Sequence, residues 1–254
     1  MSTRTDSPAL AYEQVSKRYG GVSAVDWVSL KIERGSFVAL VGESGSGKSS
    51  LLRLANRLDT PDQGRVLIDG QDVAHGDPIQ LRRAIGYVFQ NIGLFPHMNV
   101  AENIAVIPRL SGADTVDVSA ALAQVGLPAG YAGRLPAQLS GGQQQRVGIA
   151  RALAGGGKLL LMDEPFGALD PVTRDTLGHT VRKLHDDLKL TTILVTHDMA
   201  EALLLAERII VMAHGKIVAD ATPREMLAGL AGPEADALVA IPREQAKRLA
   251  EIGQ

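Results

Sequence analysis

The stretch FVALVGESGSGKSSLLRLANRL, residues 37–58, leaves this chain fewer possible folds than any other part of it. Its first five residues are apolar without alternation, as in a strand covered on both faces. Its last eight place apolar side chains at helical spacing. Between them, Gly42-Glu43-Ser44-Gly45-Ser46-Gly47-Lys48-Ser49 matches G-x-x-x-x-G-K-[ST]. Glycines there let the backbone N–H groups of 43–49 curl round phosphates. The lysine reaches the β and γ oxygens, and the serine hydroxyl ligates Mg²⁺. The competing reading, a plain glycine-rich turn, does not account for the strand before the loop and the helix after it. A P-loop α/β protein that binds a nucleotide is expected.

Composition agrees. The 254 residues are 45% hydrophobic, enough for a large core, while 27 glycines and only 4% aromatics suit many tight strand-to-helix turns. A formal net charge of -2 gives no basic field, so nucleic acid is not an expected partner. Without cysteine there are no disulfides and no thiolate metal sites, which fits a reducing compartment. The N-terminal MSTRTDSPALAYEQ lacks the apolar centre of a signal peptide. No apolar run approaches the ~20 residues that span a bilayer, so docking on a membrane partner is the expected route to any membrane role.

Along the chain, residues 10–42 read as strands and turns, and GRVLIDG and IGYVFQ (85–90) read as strands after the first helix. Residues 91–153 change character. Asn99 and Glu102 have capping-box spacing, VSAALAQVGL reads as a helix ending near Gly126, and LSGGQQQRVGIARAL (139–153) opens another. Strand and helix then alternate: KLLLM (158–162), a helix from Asp170-Pro171, TTILV (191–195), a helix from about Asp198, and RIIVMA (208–213) turning at Gly215 into KIVAD. From Ala221 the tail reads as short helices without recognisable chemistry.

Several polar residues fall where apolar strands end, the usual side for ligands in open α/β sheets. KLLLM runs into Asp163-Glu164-Pro165. In a P-loop fold an Asp at that place holds Mg²⁺ through water, and Glu164 can then orient or deprotonate an attacking water. A capping acid pair is the alternative. His197 follows TTILV and can hydrogen-bond a γ-phosphate, although a lone histidine is more often a packed or capping residue. Gln90 closes IGYVFQ, where its amide can bind Mg²⁺ or the attacking water. Tyr19, in VSKRYGG, is the candidate for stacking on adenine, with Tyr12, Trp27 and ordinary core packing as competitors.

LSGGQQQRVGIARAL poses a separate problem. Ser140 can cap its helix, Gly141 and Gly142 leave backbone N–H groups uncovered, and Val147, Ile149, Ala150 and Leu153 can pack inward. Such a helix start suits an anion, yet the chain already has a phosphate cradle.

In order and approximate spacing, GESGSGKSS, FQ at 89–90, LSGGQ at 139–143, LLLMDEP at 159–165, ALD at 168–170 and TH at 196–197 resemble the ATP-binding-cassette ATPases, over residues from about 10 to 225. The likeness is to the nucleotide-binding subunit of a transporter. It implies a RecA-like P-loop core with an N-terminal antiparallel β-subdomain and a helical subdomain inserted at about 91–155. Residues 1–225 form the cassette and 226–254 a short helical tail. It implies ATP and Mg²⁺ as cofactors, held by Gly42, Glu43, Ser44, Gly45, Ser46, Gly47, Lys48, Ser49, Ser50 and Asp163, with Ser49, Gln90 and Asp163 nearest the metal. Gln90 becomes the sensor of the γ-phosphate, Glu164 the catalytic carboxylate, His197 the switch histidine and Tyr19 the adenine platform. Asp170 belongs to a loop that crosses a dimer interface. Ser140, Gly141, Gly142 and Gln143 then serve the ATP of a second copy, in a head-to-tail dimer that closes on nucleotide. The second cradle is half of a site that another chain completes.

The resemblance also narrows the branch. The repair branch carries long coiled coils between its motifs, the translation branch has two cassettes in one chain, and exporters often fuse the cassette to membrane helices. A separate cassette implies an importer, peripheral on the cytoplasmic face of the plasma membrane, with permease subunits and an extracytoplasmic substrate-binding protein as partners. IGYVFQNIGLFPHMNVAENIAVIPRL, LPAQLSGGQQQRVGIARAL and MDEPFGALDPVTR resemble the osmoprotectant branch, which imports glycine betaine, choline and similar quaternary amines. Amino-acid and polyamine importers share much of them, and a soluble non-transport ATPase switch is the alternative from another class. Many osmoprotectant cassettes continue into paired regulatory domains. This sequence runs to Gln254 with a short tail, so control by ionic strength through such domains is not expected. Leu94, Phe95 and Pro96 are expected either to line a groove for a permease helix or to pack within their lobe.

Overall fold

The computed structural model describes residues 7–112 and 115–252, so the reading of the first six residues as part of a leaderless start lies outside the described residues. In chain order the elements are β1 (Leu10–Tyr19), β2 (Val22–Ile32), β3 (Phe37–Val41), α1 (Lys48–Ala55), β4 (Gln63–Ile68) and β5 (Gln71–Asp72). Then come α2 (Pro78–Ala84), β6 (Ile85–Val88), α3 (Val100–Leu110), α4 (Val118–Gln124), α5 (Gly141–Ala154), β7 (Leu159–Asp163) and α6 (Pro171–Leu188). The last are β8 (Thr191–Val195), α7 (Met199–Leu205), β9 (Arg208–Ala213), β10 (Lys216–Ala221), α8 (Pro223–Ala228) and α9 (Pro233–Ile252). They fall into two compact units. One takes the chain up to Ile32, Ser36–Ala74 and everything from Leu194, and the other takes Glu33–Gly35 and His75–Ile193.

The first unit contains a four-stranded antiparallel sheet in the order β2-β1-β4-β5. Alternation sets its register: Leu10 faces Ile32 on one side and Ile68 on the other, and Tyr12 faces Leu30 and Val66. The same unit holds β3 and β9 as parallel neighbours, Val38 beside Arg208 through Val41 beside Val211, with β10 antiparallel to β9. All five residues of β3 are buried, as its unbroken apolar run requires. The Thr196 N–H donates to the Leu40 carbonyl at 3.2 Å, which fixes the end of β8 beside β3.

In the second unit β6 runs parallel to β7, Ile85 beside Leu159 through Val88 beside Met162. The Thr191 N–H donates to the Lys158 carbonyl at 2.7 Å, so β8 starts at the foot of β7. Helix α5 packs on α3, α4, α6 and β6 with Val147, Ile149 and Ala150 buried. The capping box expected at Asn99 and Glu102 is present at the start of α3, with both reciprocal bonds at 2.8 Å.

Two elements depart from the sequence reading. Helix α2 was not anticipated, although its signals are ordinary: Asp77 accepts from the Ile79 N–H at 2.8 Å and Pro78 opens the first turn. The tail is not only short helices, because α9 runs 20 residues. Buried Ala235 and Val239, one turn apart, anchor it, and good helix formers carry it through Pro242. Among the described residues no helix is long and apolar enough to cross a membrane.

Candidate functional site

The loop between β3 and α1 needs its glycines for two different reasons. Gly42, Gly45 and Gly47 have φ of +146°, +81° and +105°, a region that side chains disfavour. Two of them are also hemmed in: a Cβ on Gly42 would lie 2.1 Å from the Met212 carbonyl oxygen, and one on Gly47 would lie 2.0 Å from that of Ala24. A Cβ on Gly45 would meet nothing. The loop is therefore clamped at both ends and open in the middle.

Lys48, 4% exposed, turns back over this loop. Its ammonium donates to the Gly42 and Glu43 carbonyls, each at 2.8 Å, and to Ser46 Oγ at 3.3 Å. These three acceptors are neutral oxygens that place the ammonium over the loop. Ser49 and Ser50 follow in the first turn of α1, half-buried. Glu43, Ser44 and Gly45 are exposed. A cavity of about 320 Å³ flanks the loop, lined by residues that include Gly42, Ser46, Met212, His214, Glu234 and Leu238.

Tyr19, at the end of β1, is 42% exposed and so presents its ring to solvent, which a stacking platform requires. Its hydroxyl donates to Asp59, and Lys17 lies 5.4 Å over the ring while pairing with Asp59 at 3.3 Å and Asp62 at 3.2 Å. Burial pushes the tyrosine pKa up, and the Asp59 bond pushes it further. Burial works against the Asp59 charge, but its bonds from Tyr19, Lys17 and Thr60 win and hold the carboxyl below its usual value. Tyr12 is the weaker adenine candidate because it is buried, its hydroxyl donating to the Leu51 carbonyl at 3.0 Å.

His197 is exposed between β8 and α7. Around it the backbone is fixed by a chain of bonds. Thr196 Oγ1 donates to Glu201 at 2.6 Å and accepts from the Asp198 N–H at 3.0 Å, while Asp198 caps α7 at Ala200 at 2.8 Å.

In the second unit, Gln90 and Glu164 leave the ends of the paired strands β6 and β7. Gln90 Nε2 donates to Glu164 Oε2 at 3.3 Å. Asp163, the last residue of β7, is 8% exposed. Glu164 has φ of +45°, a strained value for a residue with a side chain, and such outliers gather at functional sites. Asp170 caps α6 by accepting from the Thr173 N–H at 3.0 Å. The bonds from Thr173 hold its carboxyl below the usual range.

At the start of α5 the Ser140 hydroxyl accepts from the Gln143 N–H at 3.3 Å, and the Gln143 side chain accepts from the Ser140 N–H at 3.0 Å. This is a full capping box. The two glycines differ. A Cβ on Gly141 would meet nothing, whereas one on Gly142 would lie 2.5 Å from Thr173 Cγ2 on α6. The Cβ side of Gly142 is thus covered by α6, while that of Gly141 is open.

A family profile described as ABC transporter matches residues 25–167, more than half the chain. The chain belongs to the ABC transporter family. Over 223 residues it is 48% identical to the glycine betaine/carnitine/choline transport ATP-binding protein OpuCA of Bacillus subtilis (strain 168), covering 86% of this chain and 59% of that protein. It therefore spans about three-fifths of OpuCA's length. It is 47% identical over 222 residues to the glycine betaine uptake system ATP-binding protein YehX of Escherichia coli (strain K12), covering 86% of this chain and 72% of YehX. Among solved structures, the ATP-binding cassette MJ0796, a dimer in a post-hydrolysis state bound to ADP and Pi, is similar at TM-score 0.76 and 33% identity. That match covers 85% of this chain and 99% of MJ0796, and it shows the fold of this ABC transporter family member as a P-loop α/β cassette.

Sequence reasoning named the strand-end residues of this ABC cassette but missed the residues that hold them. Asp59 and Lys17 fix Tyr19, Thr173 seals Gly142, and Arg151 and Asn103 hold the segment after Gln90. Only burial of a polar side chain in an apolar helix face, as at Asn103 in ENIAVI, offered a signal.

Proposed function

We propose that this chain is the ATP-binding and hydrolysing subunit of an ABC importer. It works as a head-to-tail homodimer on the cytoplasmic face of the plasma membrane, against permease subunits supplied by an extracytoplasmic substrate-binding protein. The imported solutes are quaternary amines such as glycine betaine and choline. The observation that carries this reading is the identity of nearly half over 223 residues to OpuCA, a span that contains both phosphate-binding motifs.

In this reading the loop from Gly42 to Ser50 binds the phosphates of ATP and Lys48 transfers its ammonium from the loop carbonyls to the β and γ oxygens. Tyr19 stacks on adenine. Mg²⁺ would be held by the Ser49 hydroxyl, the Asp163 carboxylate and Gln90, hard-oxygen donors of the kind it takes. The metal, when bound, neutralises charge on the transferring phosphoryl group. Glu164 orients or deprotonates the attacking water, Gln90 and His197 report the γ-phosphate, and Asp170 serves the interface. Ser140, Gly141, Gly142 and Gln143 bind the ATP held by the partner copy, so nucleotide joins two chains and hydrolysis releases them.

The test is uptake of labelled glycine betaine, choline, amino acids and polyamines by cells with and without this subunit, together with native detergent extraction. Loss of quaternary amine uptake and recovery of the subunit with a membrane partner are expected. Loss of amino-acid or polyamine uptake alone would replace the solute. Recovery without any membrane partner would favour a soluble ATPase switch.

A further inference from the structure

The cavity of about 320 Å³ beside the phosphate-binding loop has no part in the proposed reaction. Residues 42–46 form one wall, yet Lys48, Ser49, Ser50 and Tyr19 do not line it. The end of β9 and His214, in the turn after it, form a second wall. Helix α9 forms the third. Buried Ala235 and Val239 anchor this helix, and the neighbouring stripe of Glu234, Ala237 and Leu238, spaced i, i+3, i+4, lines the cavity. All three walls belong to the first unit.

The loop is anchored from the β9 side. The Gly215 N–H donates to the Ser46 carbonyl at 3.0 Å, and the Gly215 carbonyl accepts the Asp26 N–H at 2.9 Å. Glu43, Ser44 and Gly45 stay exposed between this anchor and Gly42. The lining selects an occupant by its chemistry. Met212, Ala237 and Leu238 are apolar, Glu43 and Glu234 bring two carboxylates, and no lysine or arginine is present. Among the described residues neither carboxylate has a hydrogen bond or ion pair. An anion is repelled here. A divalent metal needs about six oxygen donors, and no group of described residues could hold one. An alkylated ammonium ion meets both features. Its charge answers the carboxylates, and its spread, weakly hydrated surface loses little on leaving water for apolar walls.

We propose that this cavity is a regulatory site for a small alkylated ammonium ion, whose binding raises the affinity of the adjoining loop for ATP. The ion offsets the Glu43 charge, which otherwise opposes an incoming triphosphate, and braces the exposed 43–45 stretch against α9. Each ligand then favours the other by the same factor, about fivefold. A zwitterion such as glycine betaine would bring its own carboxylate to the two glutamates and is excluded. Choline, which carries only the positive charge, is accepted. The coupling to ATP rests on residues 42–50 being the phosphate cradle, as proposed above.

The experiment titrates the full chain calorimetrically with choline and with AMP-PNP, a non-hydrolysable ATP analogue, each alone and with the other saturating. Ionic strength is held constant with NaCl. Choline is expected to bind and to lower the AMP-PNP Kd about fivefold, and AMP-PNP to lower the choline Kd equally. Dimethylbutanol, the uncharged carbon isostere of choline, and glycine betaine are each expected to bind about tenfold more weakly than choline. Glu234→Gln is expected to weaken choline about fivefold. Ala237→Trp, which fills the cavity from an exposed position, is expected to abolish choline binding. Both variants should bind AMP-PNP alone within about twofold of the parent. No choline binding by the parent, undiminished binding by Ala237→Trp, or equal binding of either other probe overturns the proposal. Choline that leaves the AMP-PNP Kd unchanged, or that competes with AMP-PNP, overturns it too. Failure of AMP-PNP to bind the parent would instead overturn the phosphate cradle, and the coupling with it.

Discussion

Gln90 Nε2 donates to Glu164 Oε2 at 3.3 Å because of where the strands beneath them pair. Val88 stands beside Met162 in the parallel register of β6 and β7, so two residues further along each strand Gln90 and Glu164 are level. The left-handed backbone of Glu164, φ +45°, belongs to the turn that takes the chain out of β7. The side chain proposed to prepare water is thus tied to the side chain proposed to sense phosphate before any nucleotide arrives.

Glu164→Gln keeps the shape of this contact and removes the base. Turnover is expected to fall by about 10²- to 10⁴-fold while ATP binding persists and the dimer accumulates on ATP addition. Phosphate release and light scattering measure the two effects. Near-normal turnover would remove Glu164 from the mechanism.

Gly142→Ala tests how tightly α5 and α6 meet. Alanine favours the helix by ~1 kcal/mol over glycine, but the added methyl would lie 2.5 Å from Thr173 Cγ2, and overpacking of that kind costs ~1–3 kcal/mol. The clash should win, lowering Tm and weakening the ATP-dependent dimer. Thr173→Ser removes the clashing methyl, so the double variant is expected to recover the loss in thermal denaturation. A Gly142→Ala chain as stable as the parent would mean that α6 yields without cost.

Residues whose role is set by local sequence were legible before the structure. The P-loop announces itself through spacing, the capping box at Asn99 follows from a pair three residues apart, and Ser140 reads as a helix cap from its place before the helix. The strand-end positions of Gln90, Asp163 and His197 follow from unbroken apolar runs. What stayed hidden depends on contacts between residues far apart in the chain. Thr173 is 31 positions from Gly142, Arg151 is 58 from Gly93, and Asp59 is 40 from Tyr19. No pattern within one element reports such a partner. Helix α9 was underestimated for a related reason, since the burial of Ala235 and Val239 that anchors it depends on the rest of their unit.

Acid should loosen the support of the Tyr19 ring. Asp62 accepts the Arg18 N–H at 2.7 Å and pairs with Lys17, and these bonds, the backbone one foremost, hold its carboxyl below the ordinary 3.8. A lowered folded value means that the stabilisation is complete above the unfolded value and is lost as pH falls through the lower folded one. Asp62→Asn is therefore expected to be less stable than the parent at pH 6 and to lose the difference below about pH 3.8. Urea denaturation at several pH values checks this, and a gap of constant size would show that the charge is not involved.

Gln145 carries the clearest fault in α5. It is 2% exposed, and its Nε2 has no hydrogen-bond partner. A buried amide donor left unsatisfied costs ~1–3 kcal/mol, whereas an apolar side chain of similar length in the same space forfeits nothing. Methionine matches glutamine in helix propensity and nearly in volume, so propensity and cavity effects almost cancel. Gln145→Met is expected to stabilise the chain by ~1 kcal/mol in chemical denaturation and to leave ATP turnover unchanged, because the side chain lies on the covered side of the helix and not at its Ser140 end. A lower denaturation midpoint would show that the amide has a partner in solution. A higher midpoint with lost ATP-dependent dimerisation would show that the unsatisfied donor is kept for the closed dimer.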